Sequence, residues 1–194
     1  WAVFEAESLG WDFVTLAWNS FSLAFLAAII VVALAIILSY AKRTKPIKPV
    51  RTVIAMAGFG YALPGTIIAI GVLIPLAWAD HSLIALFENF GWDNPGLILS
   101  GSLVALLFAY TVRFLAVALG SVQSGLEKIK PSLDHAGRSM GHSPLAILRK
   151  IHVPLMRTSI LTAVLIVFVD VLKELPATLI LRPFNFNTMA VRAY

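Results

Sequence analysis

The chain has 194 residues, 59% of them hydrophobic, and a mean hydropathy of +0.88, where a soluble domain is roughly 45–50% apolar. Charged residues make up 13%, about half the usual share, and so much apolar surface cannot be buried in water by a chain this size, which makes lipid its solvent. The absence of cysteine excludes disulfides and thiolate metal sites, and the four histidines (His81, His135, His142, His152) form no HExxH pair.

The chain opens on Trp1 and the acids Glu5, Glu7 and Asp12, without the basic start and short apolar run of a signal peptide. It is expected to be a piece of a longer polypeptide. Four stretches then have the roughly 20 apolar residues that a bilayer crossing takes. They run over about 13–41, 52–79, 95–119 and 158–181. The first two contain no charge, the third is interrupted only by Arg113, and the fourth carries Asp170, Lys173 and Glu174. Hydrophobicity on every side of segments this long excludes amphipathic surface helices, and the continuous aliphatic runs lack the alternation of membrane strands. The expected fold is all-α, a polytopic transmembrane bundle with four spans in one domain over 1–194.

The connections set the orientation. The first, 42–51, carries Lys42, Arg43, Lys45, Lys48 and Arg51 with no acid. The second, 80–94, has no Lys or Arg but has Asp80, Glu88 and Asp93; the third, about 120–157, is basic again. Lysine and arginine accumulate on the cytoplasmic side, so the amino terminus is expected outside and both basic connections inside. The same asymmetry explains the formal charge of +5 without nucleic acid, because the bases flank spans instead of lining a groove.

The second run holds Gly58, Gly60, Pro64, Gly65, Gly71 and Pro75. Close helix packing and a bent helix lining a pathway, with Pro64 at its bend, both fit that composition. In the fourth run, steps of three and four place Asp170, Lys173 and Glu174 along one helix face. Charges in hydrocarbon cost about 2.5–3.5 kcal/mol or more each, so these must meet protein, water or each other. They form either a gate on a translocation path or a mutually neutralising cluster. Two acids around a lysine are poor ligands for a hard metal ion, so no metal site is expected.

The third connection is far longer than a turn. Pro131 and Ser132 suit a helix start, Gly141 a left-handed stop, and Ser143-Pro144 a second start. Helix, glycine, helix makes a compact knob. This stretch resembles the signature of ABC importer permeases: E-A-A, three residues, G, nine residues, I, one residue, L-P. Gly141 takes the glycine, Ile151 the isoleucine and Val153-Pro154 the final pair, while E-A-A falls on His135, Ala136 and Gly137. Only the middle alanine is kept, and Asp134 is next door to supply a carboxylate. Gly58 to Thr66, Arg113 to Ala118, Asp170 to Thr178 and Leu181 to Phe186 are similar to the iron(III) branch of these permeases. Sulfate, thiamine and polyamine permeases share the architecture.

The resemblance implies a prokaryotic, multi-pass protein of the cell inner (plasma) membrane, with about six spans per half and so one missing at each end. It implies a cytoplasmic ABC ATPase dimer as partner, docked on a coupling loop that includes Asp134, His135, Ala136, Gly137, Gly141, Ile151 and Pro154. It further implies a periplasmic or extracellular substrate-binding protein and a second permease half, fused or as a homodimer. No GxxxxGK[ST] phosphate loop occurs in the chain, so no cofactor is expected on it and ATP and Mg belong to the partner; the chain itself is not expected to be an enzyme. An ion-coupled secondary transporter using Asp170 and Glu174 is the rival reading, and it leaves the knob unexplained.

Overall fold

The computed structural model of the chain describes residues 2–184 and 186–192, with side chains from Phe13 onward. All regular structure among the described residues is helical. A long α1 (Ala2–Thr44) is followed by α2 (Lys48–Ala62), α3 (Gly65–Asn89) and α4 (Leu103–Glu127). The third connection contains α5 (Pro131–Ser139), α6 (Pro144–Ile147), a π-helical turn (Leu148–His152) and α7 (Val153–Leu155). After it come α8 (Arg157–Leu172), α9 (Pro176–Leu181) and α10 (Met189–Arg192).

Three helices among the described residues are long and apolar enough to cross a membrane: Phe13–Thr44, Gly65–Asn89 and Leu103–Glu127. A fourth qualifies if Pro144–Leu155 and Arg157–Leu172, bent by 78°, are taken together. The bundle is built on α1, α4 and α8, whose contact stripes are rich in alanine. In α1 these are Ala24, Ala28, Val31 and Ala35; in α4 Ala105 and Ala109; in α8 Ala163, Val167 and Val171. Each set repeats at three, four or a multiple, which is one side of a helix, and small residues there let backbones approach where lipid supplies no hydrophobic drive.

Two of the expected spans are broken. The run 52–79 is two helices, because Leu63 takes an extended conformation before Pro64 (ψ 143°) and Pro64 has no N–H for the carbonyl of Gly60. Pro75, in contrast, stays inside α3. The run 158–181 breaks between α8 and α9 for the same reason, since Pro176 cannot bond the carbonyl of Leu172. With 16 residues, α8 is about 24 Å long against a hydrocarbon core of about 30 Å, and α9 carries the chain onward beyond the break.

The connection expected over 80–94 is also displaced. α3 continues to Asn89 and stops where Gly91 turns left-handed (φ 70°), so Asp80 lies within the helix. Its carboxylate is buried and accepts hydrogen bonds from the backbone N–H groups of Ile98 (3.1 Å), Leu99 (2.8 Å) and Ser100 (2.8 Å) and from the Ser100 hydroxyl (2.6 Å). That bonding holds residues 98–100 in a non-helical turn, so α4 begins at Leu103 instead of near Pro95, with the Ser102 side chain capping Val104 N–H. Both basic connections reach one end of the bundle, since Arg43 bonds residues at the end of α4. The segment 187–189 packs on Asn19 and Ser20 at the other end.

Replacing Asp80 by alanine strands three backbone donors and one hydroxyl. At about 1–3 kcal/mol for each buried donor left unpaired, partly relieved by water, the chain should lose about 3 kcal/mol. The thermal midpoint of the purified full-length protein should drop clearly for Asp80→Ala and less for Asp80→Asn, which keeps one acceptor. An unchanged midpoint for Asp80→Ala would show that this corner contributes nothing.

Candidate functional site

The knob forms from local signals. Pro131 occupies the first turn of α5, where its missing N–H has no helical partner anyway. α5 ends in a Schellman motif: Gly141 N–H bonds Arg138 C=O (2.9 Å) and His142 N–H bonds Gly137 C=O (3.0 Å), with Gly141 at φ 77°. Ser143 then caps α6 through Ala146 N–H (3.3 Å) with Pro144 in its first turn. Helix, left-handed glycine, helix is therefore the observed conformation. Pro154 denies the carbonyl of Lys150 its usual donor, and the ladder widens to a π turn in which Val153 N–H bonds Leu148 C=O.

The inside of the knob is held by one ionic cluster. Asp134 is buried and faces α1, where Arg43 donates to its Oδ2 from Nε (2.9 Å) and Nη2 (2.6 Å). The same guanidinium donates to the carbonyls of Leu126 (2.6 Å) and Ile129 (2.8 Å) at the end of α4. On the other side of Asp134, His152 Nε2 lies 3.1 Å from Oδ1, and its ring packs on Tyr40 at 5.3 Å between centroids. The Tyr40 hydroxyl donates to the Pro144 carbonyl (2.8 Å). His152 is wholly buried, and that burial pushes its pKa down; the Asp134 carboxylate opposes the shift and Arg43 adds to it, so the ring is neutral at pH 7.

Asp134 is thus not a carboxylate offered to a partner, as its place beside the missing glutamate suggests. It sits on the inner face of α5 together with Gly137, three residues on. Gly137 has its own reason for being glycine: a Cβ there would sit 2.9 Å from Ile147 Cγ1 and 3.5 Å from Ile151 Cδ1. His135 and Ala136 are exposed on the outer side, Gly141 is exposed at the turn with open space around its Cα, and Pro154 is exposed on α7.

A second cluster lies at the two helix breaks. Arg113, near the middle of α4, places Nε 2.9 Å from Glu174 Oε2 and donates from Nη1 to the Leu63 carbonyl (2.8 Å), next to exposed Pro64. Glu174 is buried between α8 and α9, and its Oε1 accepts from Ala177 N–H (3.3 Å). Gly65 makes the room, because a Cβ on it would meet that oxygen. Beside the pair, Tyr110 and Thr178 share a buried hydrogen bond of 2.6 Å. Asp170 and Lys173 do not join it: Asp170 is half-buried, Lys173 is exposed, and the ion pairs among the described residues, Arg43–Asp134 and Arg113–Glu174, include neither. The charges expected to neutralise one another along one face are therefore separated, because Glu174 falls past the end of α8 and turns toward α4. Arg43, His152, Tyr40 and Arg113 complete these clusters, and of them only Arg113, as a lone charge in an apolar run, carried a sequence signal.

Comparison with known proteins matches the model of the family described as "Binding-protein-dependent transport system inner membrane component" over residues 48–193. The chain belongs to this family. These are the membrane permeases of ABC importers, which accords with the apolar helices of a multi-pass inner-membrane protein. A similar curated protein is the "Fe(3+)-transport system permease protein FbpB 2" of Haemophilus influenzae, 24% identical over 69% of this chain and 23% of that protein. The maltose/maltodextrin transport system permease protein MalG of Vibrio parahaemolyticus is 29% identical over 92% of this chain and 56% of its own length. The chain spans from about a quarter to about half of the curated relatives it matches. In structure it resembles the MetNI methionine ABC transporter in an inward-facing form (TM-score 0.61, 21% identity, 86% of this chain and 72% of that one), which establishes the fold of a type I importer permease.

The cluster on Asp134 predicts a non-additive mutational cycle. Asp134→Leu alone leaves Arg43 partly buried and unpaired, and Arg43→Met alone leaves the carboxylate; each should cost about 3 kcal/mol. The double variant should recover much of that loss, since no lone charge remains. Thermal unfolding of the full-length protein for the four species measures the coupling, and simple additivity would show that the two side chains act independently.

Proposed function

We propose that this chain forms the translocation path of an ATP-driven importer of iron(III) and that residues 120–157 couple it to a separate cytoplasmic ATPase dimer, which binds ATP and Mg. The observation that carries this reading is the knob. It is a preformed two-helix projection at the basic end of the bundle, stopped by a left-handed glycine and tied by Arg43 to the ends of α1 and α4. A displacement of α5 would therefore be felt at both helices of the central bundle. A substrate-binding protein would deliver cargo to the opposite end, and a second permease half, fused or identical, would complete the path.

Iron(III) is supported by the Haemophilus relative and by the iron-type segments around Pro64, Arg113 and Glu174. The maltose permeases match more of the chain at slightly higher identity, and this favours a sugar as the second reading of the cargo. Within the membrane, the break at Pro64 and the break at 173–175 meet across Arg113, and broken helices are where transporters line their pathways. Glu174 and Pro64 belong to this gate. Asp170 and Lys173 lie on the side of α8 that the path or the second half would cover.

The coupling role is tested in the full-length chain assembled with its ATPase and binding protein in vesicles, with uptake of radiolabelled iron(III) and of maltose measured in parallel. Gly141→Val, which forces a branched side chain into the left-handed region, should lose ATPase co-purification and uptake while membrane levels persist. Gly141→Asn, which tolerates that region, should keep the turn and most of the uptake. Iron uptake in the parent and its loss in Gly141→Val is the expected result. Full uptake in Gly141→Val would reject the coupling role, and maltose uptake without iron uptake would reassign the cargo.

The gate has its own readout. Glu174→Gln should weaken the tie between the two breaks and raise ATP hydrolysis that proceeds without cargo, by about tenfold if roughly 1.4 kcal/mol of closed-state preference is lost. Unchanged basal hydrolysis and unchanged uptake would remove Glu174 from the path.

A further inference from the structure

We infer that the knob meets its partner with cations, neutral polar groups and apolar groups but no carboxylate, and so fits a cleft of the ATPase that has an apolar floor and a rim of carboxylates. This rests on the coupling role proposed above and adds the chemistry of the partner surface. Between Lys128 and Arg157 the sequence contains a single acid, Asp134; the exposed Glu127 is the last residue of α4 and lies outside the knob helices. That acid is turned inward, bonded by Arg43, with His152 lying against its other oxygen. Lys128, Lys130, Arg138, Arg149, Lys150 and Arg157 are all exposed. None of them takes part in the ion pairs found among the described residues. A surface with one sign of charge selects a complementary partner and repels a like one.

Leu133 and Leu155 are also exposed, and the two most exposed apolar side chains of this stretch form a tip. Met140 (66% exposed) and Leu145 (72% exposed) flank the Gly141 turn in a segment that lies beyond the membrane helices. An interfacial helix would spread a broad apolar face on lipid. α5 instead uses its inner face, at Asp134 and Gly137, against the rest of the knob and presents His135, Arg138 and Ser139 outward. Two large apolar side chains at the apex of a basic projection suit insertion into a cleft and give a flat membrane surface little to hold. The position that carries glutamate in the family pattern holds His135 here, so the exposed face has no carboxylate to contribute.

The test uses the full-length permease in discs of uncharged lipid, with its purified ATPase. Raising salt from about 0.1 M to about 1 M shortens the screening length from about 10 to about 3 Å, and ATPase binding should weaken by at least about tenfold. Arg138→Glu should weaken it by a similar factor at low salt, while Arg138→Lys should retain it. A carbodiimide, which joins amines to carboxylates in contact, should link Lys150, and the lysine of Arg138→Lys, to aspartate or glutamate of the ATPase. If Gly141→Val abolishes binding but Arg138→Glu and salt leave it unchanged, the docking role stands and the carboxylate-rimmed cleft is wrong. If the salt dependence appears only in discs of anionic lipid, the basic face serves the membrane and the inference is overturned. If Gly141→Val itself leaves binding intact, the coupling role fails and this inference with it.

Discussion

A guanidinium at the end of a membrane helix can be withdrawn from water only if its donors are used, and Arg43 uses four of them. Two go to one carboxylate oxygen of Asp134 and two to the backbone carbonyls of Leu126, in the last turn of α4, and Ile129, just beyond it. Three separate pieces of chain, α1, the end of α4 and α5, are fixed by this one side chain. The arrangement dictates which face of α5 turns inward, and therefore which face is left for a partner. Gly137, on the same inward face, sets how closely the second half of the knob can approach. The left-handed turn at Gly141 then fixes where the two short helices point.

The same logic recurs deeper in the bundle. Proline at 64 and 176 breaks two apolar runs, and each break leaves backbone groups without helical partners in a place where water is scarce. Arg113 takes the Leu63 carbonyl from one break, and its partner Glu174 takes the Ala177 N–H from the other. The pair thereby satisfies both sites and joins them. Polar groups at membrane depth are expensive to place, and here Tyr110 shares a hydrogen bond with Thr178 while the Asp80 carboxylate accepts from four donors.

Much of the architecture can be read directly from composition and pattern. Apolar runs of bilayer length, the alternation of basic and acidic connections and the proline and glycine signals at 131, 141 and 144 depend only on neighbouring residues. They are local or additive properties, so the helical class, the end at which the basic loops gather and the knob itself follow from them. The chain's match to the permease pattern at Gly141, Ile151 and Pro154 is likewise a matter of spacing.

What the tertiary structure alone decided is which charges meet. Asp134 beside a lost glutamate reads as a docking acid, and Asp170 with Lys173 three residues on reads as a pair. Yet Asp134 is committed to Arg43, 91 residues away, and Glu174 to Arg113 on another helix. Pairing across helices depends on rotation and on where each helix ends, and both were set by breaks whose consequences lie far along the chain. Pro176 ends α8 short and swings Glu174 toward α4; Asp80 holds 98–100 out of the helix and so sets where α4 begins. Sequence determined that this protein spans a membrane and projects a basic two-helix knob, because burial and turn formation are local free energies. Only packing determined which carboxylate is hidden and which cations remain free, because a buried charge is placed by the partner it finds across space.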